Sequence, residues 1–419
     1  MTSLLRSSAQ SAGHRVVITG VGLCSPIGNS LDTVTAALRD MRHGIQIMAE
    51  WDAIGQLATR LGAPVVGVER ADFPRKKVRT MGRVALLSTW ASDRAIASAG
   101  LDAASLGSGR IGLAYGSTHG SSSELEHFAR RVFGSNGLGG VDASAYLTFM
   151  SHTCAANLAM YYGITGRIIT TCSACVSASQ AIGYGYEAVR SGAQDMMICG
   201  GAEELHFTHA GVFDIMFATS TRFNDRPACS PRPFDAQRDG LVVGEGAATV
   251  VLETMDAAVA RGAHIYAEIL GFGTNCDGQH ITRPSAAGMA GAMLFALQDS
   301  GLPPDAIDYI NAHGTATELG DIAESEATFA VLGGHVPVSS TKSYTGHTLG
   351  ACGGIETIFC LGMLRDNFVP PTRNLGQVDE RCAPLAYVRD APQALVAHRI
   401  MNNNFAFGGI NTSLILGRV

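Results

Sequence analysis

Residues 167–190 read RIITTCSACVSASQAIGYGYEAVR. Arg167 to Thr171 is a short, β-branched run, and from Cys175 the apolar spacing turns helical through Arg190. Strand becomes helix within a few residues, and the passage carries a cysteine. A similar passage occurs in the second half, where Pro337 to Thr341 runs into Thr345-Gly346-His347 and a helix studded with Gly and Ala. Each half therefore delivers one reactive side chain at a strand-to-helix junction, a hint of duplication.

Outward from these junctions the alternation continues. Arg15 to Val21 (RVVITGV) has the pattern of a strand buried on both faces. Further compact apolar runs lie at Arg110 to Tyr115, Asp195 to Cys199, Ala247 to Glu253, Tyr266 to Gly271, Ile307 to Asn311 and Thr412 to Leu416. Helical periodicity marks Arg83 to Ala99, Ser122 to Val132, Ala286 to Gln298, Asp321 to Val331 and Gly350 to Leu364. Strands alternating with helices predict a layered α/β fold. No linker rich in Pro, Ser or charge and no short repeat interrupts the chain.

Composition narrows the function. The 419 residues allow two to three folding units or one large one. Charged residues make up 16% and hydrophobic ones 46%, which excludes disorder and coiled coil for the bulk. The 36 acidic and 30 basic side chains give a net charge of −6, and no long basic run offsets it, so nucleic acid is not an expected partner. No stretch approaches the ~18 apolar residues that cross a bilayer, so no membrane is expected either. Ten cysteines without framework spacing point to a reducing, cytoplasmic setting. The opening MTSLLRSSAQSAGHR lacks an apolar core and reads as a flexible tail over residues 1–14.

Three stretches carry chemistry. Cys175 stands at a helix start, where unpaired N–H groups and the helix dipole favour a thiolate and welcome an oxyanion. A buried cysteine acting only as a small hydrophobe is the competing reading. Cys172 and Cys175 form a C-x-x-C pair, compatible with redox chemistry or half a zinc site, although no second pair completes four sulfur ligands. Asn311-Ala312-His313-Gly314-Thr315-Ala316-Thr317 sets a histidine just past a strand end. Ser339-Ser340-Thr341-Lys342-Ser343-Tyr344-Thr345-Gly346-His347 sets a second. Two histidines beside glycines and a cysteine at a helix start fit an acyl-transfer site.

The chain resembles the β-ketoacyl-acyl carrier protein synthases of the I/II group from Arg15 to Leu416. The resemblance rests on VVITGVG, CSAC, GGAEE, PFDAQRDGLVVGEGA, NAHGTAT, SSTKSYTGHTLGACGG and NNNFAFGG. It implies a five-layered α-β-α-β-α thiolase-like fold of two similar halves, residues 15–260 with Cys175 and 261–419 with His313, Lys342 and His347. It implies a decarboxylating condensation in which an acyl chain rests on Cys175 while malonyl-carrier protein is decarboxylated near His313 and His347. The backbone N–H groups of Cys175 and Phe407 are the implied oxyanion hole. Lys342 with Glu324 is the implied ion pair, Thr282 and Thr315 the pantetheine contacts, and Phe405 and Phe407 line and gate the acyl entrance. Arg75, Lys76 and Lys77, with Arg79 beyond them, are implied contacts for an acidic acyl carrier protein. No metal or other cofactor is implied, since phosphopantetheine belongs to the carrier. A homodimer, or a heterodimer with a related subunit, is the implied assembly.

Two positions depart from the family pattern. His119 stands where long-chain synthases usually carry an aliphatic residue at the end of the acyl pocket, and Ala145 where an aromatic often lines it. A more polar pocket end suits an aryl-polyene or polyketide-like substrate as well as an ordinary fatty acyl chain. Three other readings remain: a chain-length-factor partner subunit, which usually lacks the nucleophile; a thiolase, which uses a second cysteine; and a disulfide oxidoreductase built on Cys172 and Cys175.

Overall fold

The computed structural model of the protein describes residues 13–419. The expected tail lies outside them except for Gly13 and His14, whose N–H donates to the Arg190 carbonyl (3.0 Å). Eleven strands form the main sheet: β1 (Val16–Cys24), β2 (Ile111–Gly116), β3 (Ile168–Thr171), β4 (Met196–Glu203), β5 (Gly246–Thr254), β6 (Ala267–Cys276), β7 (Tyr309–Asn311), β8 (Pro337–Ser339), β9 (Ala386–Tyr387), β10 (Arg399–Phe405) and β11 (Ile410–Gly417). The principal helices are α1 (Arg83–Ser98), α2 (Ser122–Gly134), α3 (Thr153–Tyr162), α4 (Ser177–Arg190), α5 (Phe207–Ile215), α6 (Ala286–Ser300), α7 (Glu318–Leu332) and α8 (Cys352–Asp366).

The hinted duplication is plain in the topology. The spatial order is β9-β8-β7-β10-β11-β6-β1-β5-β4-β2-β3. The first half therefore runs β3-β2-β4-β5-β1 and the second β8-β7-β10-β11-β6, the same order, with β9 added at one edge. Strand directions match as well. β2 is parallel to β3 and β4, as β7 is to β8 and β10, and the other pairs within each half are antiparallel. The halves join through β1 and β6, where Val16, Val17 and Ile18 pair with Ile269, Glu268 and Ala267.

Helices α4 and α8 contact strands of both halves and form the middle layer. α1 packs on the first half from outside, and α6 packs on the second with α7 beside it. That stacking makes the five layers. α8 is buried on all sides from Cys352 to Leu364 and shows no polar face, as a helix inside a core must. That buried stretch nonetheless holds one carboxylate, Glu356. No helix among the described residues is long and apolar enough to cross a membrane.

Candidate active site

The parallel strands in each half send their carboxyl ends to one edge, the usual place for a ligand site in an α/β sheet. β3 leads into a 3-10 turn at Ala174–Val176 that presents Cys175, and α4 begins directly after it. Ala174 adopts φ 49°, a left-handed conformation costly for a residue with a side chain. Ser177 pins the turn: its Oγ accepts from Ser173 N–H (2.9 Å) and donates to the Ala174 carbonyl (2.8 Å).

β8 leads through Lys342 to His347, held by its N–H donating to the Val242 carbonyl (2.7 Å) and by Gly244 N–H donating to its own carbonyl (2.8 Å). Its Nε2 lies 2.9 Å from Cys175 Sγ. β7 leads to His313, whose ring stands perpendicular to that of His347 with centroids 5.2 Å apart. Ligand atoms of Cys175, His313 and His347 all fall within 4.8 Å of one another. They face a cavity of about 550 Å³ whose lining also includes Thr282, Thr315, Glu324, Phe405, Phe407 and Phe213.

Electrostatics define the resting state. Burial and the Lys342 cation push the pKa of both imidazoles well below the usual histidine range, so both are neutral at neutral pH. The Nδ1 atoms of both rings are buried without a hydrogen-bond partner among the described residues. For His347 this favours the proton on Nε2, directed at the sulfur. The thiol corrects an expectation. Burial raises Cys175 to about 12, against the opposing pull of Lys342 and of the backbone N–H groups of Cys175 and Phe407. The helix-start field does not make a resting thiolate, because desolvation of the anion outweighs it.

A second correction concerns Lys342. Its Nζ lies 2.5 Å from Glu356 Oε1, not against Glu324. Burial works against the ammonium, but Glu356, with smaller contributions from Cys352 and Glu324, makes the net shift upward. Asn404 completes the group by donating to Glu356 Oε2 (2.6 Å). Glu324 is occupied elsewhere, accepting the N–H groups of His313 (2.7 Å) and Gly314 (2.6 Å), and it shapes the loop that presents the imidazole. Burial raises Glu324 to about 8 against those donors. Glu356 was missed in the sequence. Its signal was there: a lone carboxylate in the apolar run GGIETIFCLGML requires a buried cation.

The remaining positions divide. Gly408 and Gly409, with φ 89° and 74°, carry the turn after Phe407, and a side-chain carbon at Gly409 would meet Asp277 Oδ1 at 2.1 Å. Phe407 packs on Phe213 with ring centroids 5.6 Å apart. Arg75, Lys76 and Lys77 are exposed and outside the cavity lining. Lys77 Nζ sits 4.8 Å over the Tyr161 ring. His119 is exposed and also outside the lining. It stacks on His209, which was not anticipated. In the C-x-x-C pair Cys172 is exposed and Cys175 buried, and all ten cysteines are free.

Comparison with known proteins agrees with this geometry. The family description "Beta-ketoacyl synthase, N-terminal domain" matches residues 13–258, and "Beta-ketoacyl synthase, C-terminal domain" matches 266–376. The 3-oxoacyl-[acyl-carrier-protein] synthase 1 of Haemophilus influenzae is 37% identical over 406 residues, covering 97% of this chain and 99% of that protein. A β-ketoacyl synthase crystal structure from Burkholderia phymatum superposes with a TM-score of 0.94 at 51% identity, covering 97% of this chain and 100% of that one. A ketosynthase (ApeO) in complex with its chain length factor (ApeC) from Xenorhabdus doucetiae gives a TM-score of 0.83 at 27% identity, covering 99% and 100%. With Cys175, His313 and His347 gathered at the matching edge of two like half-sheets, the chain belongs to the β-ketoacyl synthase family.

Proposed function

We propose that this protein condenses an acyl thioester with malonyl-acyl carrier protein, releasing CO2 and giving a 3-oxoacyl-acyl carrier protein in fatty-acid elongation. The observation that carries the reading is the 2.9 Å approach of His347 Nε2 to Cys175 Sγ beside a second neutral imidazole. In the first half-reaction the Cys175 sulfur attacks the carbonyl of an acyl chain on the carrier's phosphopantetheine. The acyl group passes to Cys175, and the thiol proton leaves with the pantetheine sulfur. Malonyl-carrier protein then enters. Its carboxylate departs as CO2, and the electron pair left behind forms an enolate whose oxygen accepts hydrogen bonds from the His313 and His347 N–H groups. The enolate carbon attacks the Cys175 thioester. Its oxyanion is held by the Cys175 and Phe407 N–H groups, collapse expels Cys175 as a thiolate, and a proton taken up from water returns it to the thiol. Burial, reinforced by the Lys342 cation, keeps both rings neutral. Thr282 and Thr315 hold the pantetheine arm, and no further cofactor is required.

A row of unpaired backbone groups on the sheet-edge strand β3, with Ile168 45% exposed, supports pairing with a second copy of this chain or a related subunit. Intact mass measurement after incubation with acyl-carrier proteins tests the chemistry. One acyl mass is expected on the wild type and none on Cys175→Ala. Equal labelling of both proteins overturns the reading.

A further inference from the structure

The two halves repeat one turn. Ala174–Val176 is a 3-10 turn between β3 and α4, and Leu349–Ala351 is another, just past His347 and directly before α8. Each opens on a residue with a side chain in the left-handed region, Ala174 at φ 49° and Leu349 at φ 44°. Cys175 is the middle residue of the first turn and Gly350 of the second. Ser177 begins α4 as Cys352 begins α8, and the two turns lie against one another. In the second half a cysteine therefore takes the place of the serine that pins the nucleophile's turn in the first.

That cysteine reaches across the halves. Cys352 Sγ lies 3.2 Å from the Cys175 carbonyl oxygen. A carbonyl can only accept, so the S–H donates. Behind it, Asn404 Nδ2 donates to the same sulfur (3.6 Å) and to Glu356 Oε2 (2.6 Å), while Glu356 Oε1 holds Lys342. Both amide hydrogens are thus committed, and the order of donors from the Lys342–Glu356 pair to the Cys175 carbonyl is fixed. Burial, with Glu356 and Cys175 adding to it, raises the Cys352 thiol well above its usual range against the pull of Lys342, so the proton stays on the sulfur. Cys352 is 1% exposed and outside the cavity lining, so it meets no substrate.

Ser177 fixes the Ser173 N–H and the Ala174 carbonyl, the peptide groups before Cys175. Cys352 fixes the carbonyl after it. Between these pins stands the Cys175 N–H, which acts on the sulfur together with the Phe407 N–H. In the second turn the corresponding N–H, that of Gly350, is already taken by Glu203 Oε2 (3.1 Å). An oxyanion held by two N–H groups depends on their aim, and a strained turn keeps its aim only when its neighbours hold it.

We propose that Cys352 is a positioning residue for the condensation: its S–H, tied through Asn404 to the Lys342–Glu356 pair, holds the Cys175 carbonyl and so aims the Cys175 N–H at the oxyanion formed during acyl transfer. This rests on the acyl-enzyme reading above.

The test follows two reactions of Cys175 in the full-length protein: acyl transfer from a loaded carrier protein, read by intact mass, and alkylation by iodoacetamide, located by peptide mapping. Alkylation displaces iodide at a saturated carbon and forms no oxyanion, whereas acyl transfer forms one. Cys352→Ala is expected to slow acyl transfer at saturating carrier about tenfold, with the half-saturating carrier concentration and the alkylation rate within about twofold of wild type. Cys352→Ser loses similar bulk but keeps a donor, and is expected to return acyl transfer to within about threefold of wild type. Wild-type acyl transfer in Cys352→Ala overturns the proposal. So does a loss shared by acyl transfer and alkylation, or shared equally by the Ala and Ser variants, since either marks a packing defect. Should Cys352→Ala fail to fold, Cys352→Val, which fills the space without a donor, takes its place with the same expectations. Failure of the wild type to load any acyl group overturns the acyl-enzyme reading itself, whereas equal loading by wild type and Cys352→Ala overturns only the positioning role.

Discussion

Lys342 Nζ lies 2.5 Å from Glu356 Oε1, and neither side chain exposes more than 3% of its surface. Breaking such a pair leaves a bare charge in the core, at a cost of about 3–5 kcal/mol. Glu356→Gln is therefore expected to lower the urea midpoint far more than Glu324→Gln, whose carboxylate serves two backbone N–H groups and not the ammonium. Equal destabilisation by the two variants would place the cation's partner wrongly.

Cys175 rests as a thiol because burial raises it to about 12. Below that value its ionised fraction grows with pH, so iodoacetamide labelling should climb about tenfold per unit from pH 7 to 9 without a plateau. Peptide mapping locates the label. A plateau near pH 7 would mean that the resting sulfur is already ionised.

Cys172→Ser is expected to leave condensation within about twofold of wild type, since Cys172 is exposed and only Cys175 faces the histidines. Loss of turnover in that variant would revive a dithiol mechanism.

His209, His313 and His347 share one linkage. Burial leads the downward shift at each, so the unfolded chain binds protons that the folded one refuses. Their stabilising contribution is complete above the unfolded value near 6.5 and drains as pH falls below it. Between pH 6.5 and 5 this loss runs against a gain from buried carboxyls whose values burial has raised, Glu324, Glu204 and Asp321 among them, so the rings' share is read as a difference between proteins. A His313→Asn/His347→Asn double variant should lose less melting temperature than the wild type over that interval, and an identical slope would remove these rings as the cause.

Arg75, Lys76 and Lys77 form an exposed cationic run outside the cavity. Replacing all three by Glu is expected to raise KM for acyl-carrier protein about tenfold or more while sparing a free pantetheine thioester. Equal loss with both substrates would count against docking there.

Periodicity was enough for the α/β alternation and for the two strand-to-helix junctions, because a β-branched run followed by helical spacing is local information. β10 escaped it. Its Asn402-Asn403-Asn404 looks like turn sequence, yet the strand lies inside the sheet, where Asn402 accepts from Asn311 (2.8 Å) and Asn404 holds Glu356. Tertiary partners overrode strand propensity there. Lys342's true partner was hidden for the same reason, since which of two buried carboxylates meets a lysine depends on packing between layers. Cys175's resting state was misread because a helix start is visible in sequence and depth is not.

The β1–β6 seam, only three residue pairs long, makes one continuous plank of the two halves. Jaws built this way do not part. Traffic to the sulfur must then run through the rim, past 277–284 and 405–409, and a clamp on those loops would starve the enzyme without disturbing its frame.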